Sequence, residues 1–128
     1  MFEKPEQVLQ SWLDGINSGD VERPISLYAD NAVLLPTFSN KSLIDLKDKQ
    51  SYFTRLAGYE DLSVKLHTRT LHSQQLSDRL FLLSGIYCWR FEIESELLSF
   101  EARFSMAVDL DQASPIIHHH SSQVPRML

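Results

Sequence analysis

The stretch from Leu80 to Ile93 constrains the fold more than any other part of the chain. Read at a period of two, Phe81, Leu83, Gly85, Tyr87, Trp89, Phe91 and Ile93 fall on one face of a long strand. The opposite face still holds Leu80, Leu82, Ile86 and Cys88. An antiparallel sheet with one wet face alternates cleanly between apolar and polar residues. A strand that is apolar on both faces over its first two-thirds has to be covered twice. The simplest cover is helices on one side and a second copy of the sheet on the other. The pattern therefore implies a homodimer formed through the outer face of the sheet.

The segments around this strand supply the helices. Val8, Leu9, Trp12, Leu13 and Ile16 recur at helical spacing. Pro5 suits the first turn of that helix, and Asn17-Ser18-Gly19 stops it. Asp20 reads as the N-cap of a short second helix that carries Ile25, Leu27 and Tyr28 and ends near Ala29-Asp30. Ala32 to Leu35 reads as a brief strand ended by Pro36, and Thr37 to Leu46 as a loop over the sheet. A third helix is expected over Asp48 to Ala57, with Tyr52, Phe53 and Leu56 on one face and Gly58 ending it. From Leu62 the period switches to two. Leu62, Val64 and Leu66 alternate with polar residues, and Gln74 to Asp78 reads as a turn. Further strands follow the long one over Leu98 to Leu110 and Pro115 to Ser122. Three helical segments followed by strands joined by turns define an α+β fold with an antiparallel sheet.

At 128 residues, one domain spanning 1–128 is expected. A formal net charge of −5 disfavours nucleic acid and anionic membrane surfaces as partners, because phosphate binding needs a basic field. No apolar run approaches the ~18 residues of a membrane span. MFEKPEQ lacks the basic and apolar regions of a secretory signal, and a lone Cys88 cannot form an internal disulfide. A cytoplasmic location is expected.

Few residues carry an obvious chemistry. In the run His118-His119-His120, the first and third share one face of a strand while His119 points the other way. Two imidazoles lack the third and fourth ligands that zinc needs, so hydrogen-bonded strand histidines are expected and no metal. Arg103 lies inside the apolar strand Phe100-Glu101-Ala102-Arg103-Phe104-Ser105. It must pair with a carboxylate (Glu101, Asp109 or one on a helix) or face a wet cavity and grip an anion. Trp12, Tyr28, Phe38, Tyr52, Phe53, Tyr87 and Trp89 would line a cavity or fill a core. An isomerase of the carboxylate-base type would need an acid opposite a tyrosine, and no spacing of Asp30, Asp45 and Tyr28 singles them out. With four glycines and no phosphate loop, nucleophile elbow or His-Glu-x-x-His element, no cofactor is expected.

Trp12, Ser18-Gly19-Asp20 and Leu27 to Thr37 resemble the opening of a nuclear-transport-factor-2-like (ketosteroid-isomerase-like) domain. Gly85-Ile86-Tyr87, Ala102-Arg103-Phe104-Ser105 and Ile117 to Ser122 with Pro125 resemble its closing strands. The chain is most similar to the association (hub) domain of calcium/calmodulin-dependent kinase and its stand-alone bacterial relatives. The resemblance implies a cone, a curved antiparallel sheet wrapped by about three helices around a pocket, and dimers through the outer face. It also implies that Arg103 projects into the pocket and binds carboxylates. His119 and Ser121 would lie on the pocket side, and His118 and His120 outside. The hub carries a second arginine where this chain has Ser121, so a carboxylate site here would be weaker or differently shaped.

Three functions remain open at this point. The first is a small-molecule-binding domain whose pocket is lined by Trp12, Tyr28, Phe53, Tyr87, Arg103 and His119, with Arg103 holding a carboxylate. The second is an isomerase, cyclase or dehydratase in which His119 carries the proton and Arg103 steadies an oxyanion. The third is an assembly module with a vestigial pocket.

Overall fold

The computed structural model describes residues 1–125. Helix α1 spans Pro5–Ser18, α2 Glu22–Ser26 and α3 Leu46–Ala57. The strands are β1 Tyr28–Leu35, β2 Ser63–Leu66, β3 His72–Gln75, β4 Leu80–Ile93, β5 Glu96–Asp109 and β6 Ile116–Gln123. They form one curved, open sheet in the order β1-β6-β5-β4-β2, with β3 on the same edge of β4 as β2.

Helices α1 and α3 form where the periodicity placed them. Pro5 opens α1, the Gln7 side chain accepts the Lys4 backbone N–H at 3.1 Å, and Gly19 ends the helix in the left-handed region at φ 76°. Val8, Leu9, Trp12, Leu13 and Ile16 are all buried against the sheet. A Cβ on Gly15 would meet the Pro24 ring at 2.7 Å, so only glycine lets α2 lie this close to α1.

Three sequence expectations are corrected. The second helix stops at Ser26, and Tyr28 begins a strand, because Ile116 N–H bonds to the Leu27 carbonyl at 2.8 Å and draws the chain into the sheet. The sheet is mixed rather than wholly antiparallel: β1 runs parallel to β6, which most of the chain separates from it. His72–Gln75 is a strand rather than part of a loop or turn. Its four exposed residues carry no apolar alternation, so backbone pairing with β4 alone holds it there. By contrast, β4 has the expected bounds, and β5 and β6 differ from theirs by one or two residues at their ends.

The two faces of β4 differ in cover. Leu83, Tyr87, Trp89 and Phe91 are buried inside, whereas Leu80, Leu82, Ile86 and Cys88 outside are only half-buried. Across the open side of the curve, the loop after β1 folds back through paired Leu34 and Leu43. It sets Phe38 edge-on against Trp89, Phe91 and Phe100 at 5.2–5.6 Å. Among the described residues no helix is long and apolar enough to cross a membrane.

Candidate functional site

The concave face gathers five of the six expected site residues. Trp12 on α1 stacks on Tyr87 of β4 (centroids 5.5 Å, 16°), and Phe53 on α3 leans on Tyr28 of β1 at 5.9 Å. His119 of β6 sits between the two tyrosines. Its Nδ1 lies 2.7 Å from Tyr28 Oη and its Nε2 3.2 Å from Tyr87 Oη, while Trp12 Nε1 donates to Tyr28 Oη at 3.0 Å.

Counting donors assigns the direction of this chain of bonds. Tyr28 Oη already accepts from the indole, so its own hydrogen goes to Nδ1. The remaining His119 hydrogen is then on Nε2 and donates to Tyr87. The opposite tautomer would leave the Tyr28 hydroxyl hydrogen without an acceptor. Burial pushes the His119 pKa down to about 3, with the flanking His118 and His120 adding to the shift. Burial also raises Tyr28, Tyr52 and Tyr87, against smaller lowering effects that at Tyr87 come from the Ser121 and Thr37 hydroxyls. Near pH 7 the cluster is neutral throughout. His119 is thus not the neutral-pH proton carrier expected from an unperturbed imidazole, because burial keeps it uncharged and both ring nitrogens are engaged.

Beside the cluster lies a cavity of only about 10 Å³, walled by Trp12, Tyr52, Phe53, Tyr87, Trp89 and His119 together with Thr37 and Ser121. That volume holds one water at most. Thr37 and Ser121 bond to each other at 2.6 Å, and both also border an outer cleft of about 280 Å³ under the loop after β1. Trp89 is 1% exposed, and its Nε1 is a buried donor with no partner among the described residues. Trp89 and Tyr52 belonged to the aromatic set that would line a cavity or fill a core but were not among the six expected pocket residues, and Thr37 was not singled out. Trp89 was legible two residues from Tyr87 on the same face; Thr37 carried no signal.

Arg103 lies elsewhere. Phe104 stacks on Tyr87 at 4.6 Å and is buried with Ala102, Met106 and Val108, so the strand period turns Arg103 to the outer face. The expected pocket combining Arg103 with His119 and the aromatics is therefore corrected: the sheet stands between them. The alternative ion pair is absent too. Among the described residues Arg103 has no carboxylate within 4.0 Å, and Glu101 bonds to His67 at 2.8 Å instead. His118 and His120 point outward and His119 inward, and no three potential metal ligands converge among the described residues.

No protein-family model matches the chain, nor does any curated protein. Solved structures do match. One described as a calcium/calmodulin-dependent protein kinase II association domain, from Xanthomonas campestris, has TM-score 0.84 and 22% identity over 95% of this chain and 86% of that one. A ketosteroid isomerase-like protein from Erwinia carotovora atroseptica has TM-score 0.76 and 11% identity over 94% of each chain. The epoxide hydrolase/cyclase-like enzyme SalBIII, of pyran ring formation in salinomycin, has TM-score 0.77 and 10% identity over 93% of this chain and 89% of that one. The chain has the nuclear-transport-factor-2-like, cystatin-like α+β fold. At these identities the likeness concerns the fold.

Proposed function

We propose that this chain binds a small, uncharged polar molecule on the concave side of its sheet. The observation that carries this reading is the partnerless Trp89 indole N–H, on a residue that walls a small cavity together with Thr37, Ser121, Tyr52 and Tyr87. A buried donor without a partner costs about 1–3 kcal/mol, and a ligand acceptor would recover it. None of the ten residues around the cavity is an acid, a lysine or an arginine, and its one histidine is held neutral, so a carboxylate ligand fits poorly there. The cavity admits a ligand only if it opens. Parting Thr37 from Ser121 would join it to the outer cleft, with Phe38 swinging away from Trp89.

A second reading is an isomerase or cyclase, favoured by the likeness to the ketosteroid isomerase-like protein and to SalBIII. The tyrosine hydroxyls would polarise a carbonyl or epoxide oxygen. No carboxylate base lines the cavity, so binding ranks ahead of turnover. The half-buried outer residues Leu80, Leu82 and Ile86 support a homodimer, and the lone thiol of Cys88 supports the cytoplasm.

The experiment uses the protein's own reporters. Its two tryptophans, Trp12 and Trp89, both border the cavity, so intrinsic fluorescence reads the site. Small alcohols, ketones, lactones and epoxides are titrated alongside matched carboxylates. A saturable fluorescence change with an uncharged compound, weakened in Trp89→Phe, supports the reading. If none of the uncharged compounds perturbs fluorescence or melting at millimolar concentration, the reading fails.

A further inference from the structure

The loop between β1 and α3 walls a second hollow, outside the small cavity. After Pro36 the run Thr37-Phe38-Ser39-Asn40-Lys41-Ser42 holds one apolar side chain among polar ones. That side chain pins the loop: the Phe38 ring meets Trp89, Phe91 and Phe100 edge-on, and its backbone N–H donates to Tyr52 Oη at 3.3 Å. Beyond it the chain turns back, with Lys41 N–H donating to Ser39 Oγ at 3.2 Å, before Leu43 pairs with Leu34. Between this loop, the last turn of α3 and the end of β6 lies an open cleft of about 740 Å³, within the size range of small-molecule sites. Thr37 to Lys41 line it with Arg55 of α3 and Gln123 of β6. Gln123 shares its parity along β6 with buried His119 and Ser121, so the cleft opens on the concave side, away from the outer face that a second copy would cover. Thr37 alone borders both this cleft and the inner cavity.

The charge of the cleft is one-sided. Arg55 and Lys41 line it, and no acidic residue does. Among the described residues neither cation is in an ion pair, in a chain whose net charge is −5. One helical turn before Arg55 stand Ser51 and Tyr52, so α3 offers it no acidic partner. A basic residue suits the last turn of a helix, which accounts for Arg55 but not for Lys41 or for the absence of acids around both. Neutral donors complete the lining. The Ser39 hydroxyl accepts Lys41 N–H and keeps its own hydrogen to give, and Asn40 and Gln123 bring side-chain amides. A phosphate monoester presents three acceptor oxygens and close to two negative charges, which two cations set among neutral donors can meet together. The Phe38 ring supplies an apolar wall beside them.

We propose that this cleft binds a small phosphate monoester, with Arg55 and Lys41 holding the phosphate and Phe38 the organic part, at a site separate from the inner cavity and independent of whether that cavity binds anything.

The test is calorimetric titration of the full chain at low salt with phenyl phosphate, against benzoate and phenol. Arg55 and Lys41 are both exposed, so their substitution leaves the fold intact, which an unchanged melting temperature checks. Saturable binding of phenyl phosphate, weakened about tenfold or more in both Arg55→Ala and Lys41→Ala and weakened by added salt, supports the site. Arg103→Ala, which alters only the outer face, should bind the probe as the parent does. Absence of binding, or binding that survives both alanine variants, overturns the proposal. So does binding that is lost in Arg103→Ala but kept in Arg55→Ala, since the anion would then sit on the other side of the sheet. Benzoate bound as tightly as phenyl phosphate overturns the choice of phosphate, and phenol bound as tightly overturns any role for the two cations.

Discussion

Strands β4, β5 and β6 carry two opposite chemistries on their two faces. Inward, Tyr87, Phe104 and His119 belong to a dry, neutral cluster in which hydrogen bonds link Trp12, Tyr28, His119 and Tyr87 while Trp89 Nε1 has no partner among the described residues. Outward, one residue along, Ile86, Arg103 and His120 border an open cationic groove. Neighbouring residues thus meet different dielectrics, because a strand turns over at every step. On the inside a titratable group must become neutral; on the outside it can stay charged. A change in either face therefore has its own magnitude and its own solution dependence, and those separate the two.

The largest effect should come from opening the inner face. Tyr87→Ala or Trp12→Ala removes a fully buried ring and unstacks its neighbour, at a cost of about 3–5 kcal/mol in urea unfolding. A loss below about 1 kcal/mol would mean that the rings line a space already open to water.

Next in size is a dependence on pH that belongs to one residue. The His119 pKa falls to about 3 on folding from an ordinary value of 6.5. Between those values the unfolded chain binds the extra proton, so stability rises with pH. The contribution is complete above about pH 6.5 and is lost as pH falls toward 3, with a limiting slope of about 1.4 kcal/mol per unit. Measured between pH 6.5 and 5, above most carboxylate titration, the slope should be present in the parent and absent in His119→Phe. Equal slopes would show that His119 meets water. Arg103→Ala should leave the slope unchanged.

Much of this division was legible in the sequence, and the errors have a common cause. Alternation placed Tyr87 and Trp89 together on β4 and set His119 against its neighbours. Applied to β5, the same period puts Phe100, Ala102, Phe104, Met106 and Val108 on one face and Arg103 on the other. The resemblance to hub domains pointed Arg103 inward, and the strand's own period was the better guide. Tyr28 was read into a helix because Leu27 and Tyr28 continue an apolar helical stripe. A hydrogen bond from Ile116, 89 positions after Leu27, overrides that local preference. The groove was illegible for a similar reason. Arg69 and His72 reach it only because Thr70 fills a gap in a sheet edge, and the polar run around them carries no periodicity. Periodicity reports faces; it is silent on which distant edge lies beside them.

A smaller difference tests the inner network by a matched pair. Trp12→Phe and Trp89→Phe delete the same atoms from two indoles that are both nearly fully buried. Trp12 Nε1 is bonded to Tyr28, and Trp89 Nε1 has no partner. Losing the first leaves Tyr28 short of a donor, whereas losing the second removes a group whose burial was uncompensated. Trp12→Phe should therefore be the more destabilising by about 1–2 kcal/mol. Equal losses would imply that a water or ligand already serves Trp89.

The smallest effect belongs to the outer face and tests the comparison from its other side. Arg103→Ala should change stability by no more than about 0.5 kcal/mol, since the guanidinium buries little and has no partner among the described residues. If Arg69 and Arg103 repel across the groove, each alanine variant should be slightly the more stable at low salt. That gain should shrink as salt screens the pair. A clear loss of stability in Arg103→Ala, insensitive to salt, would mean that the outer face is covered as the inner one is. The second copy of the chain implied by the two-faced apolar strand would then be the cover.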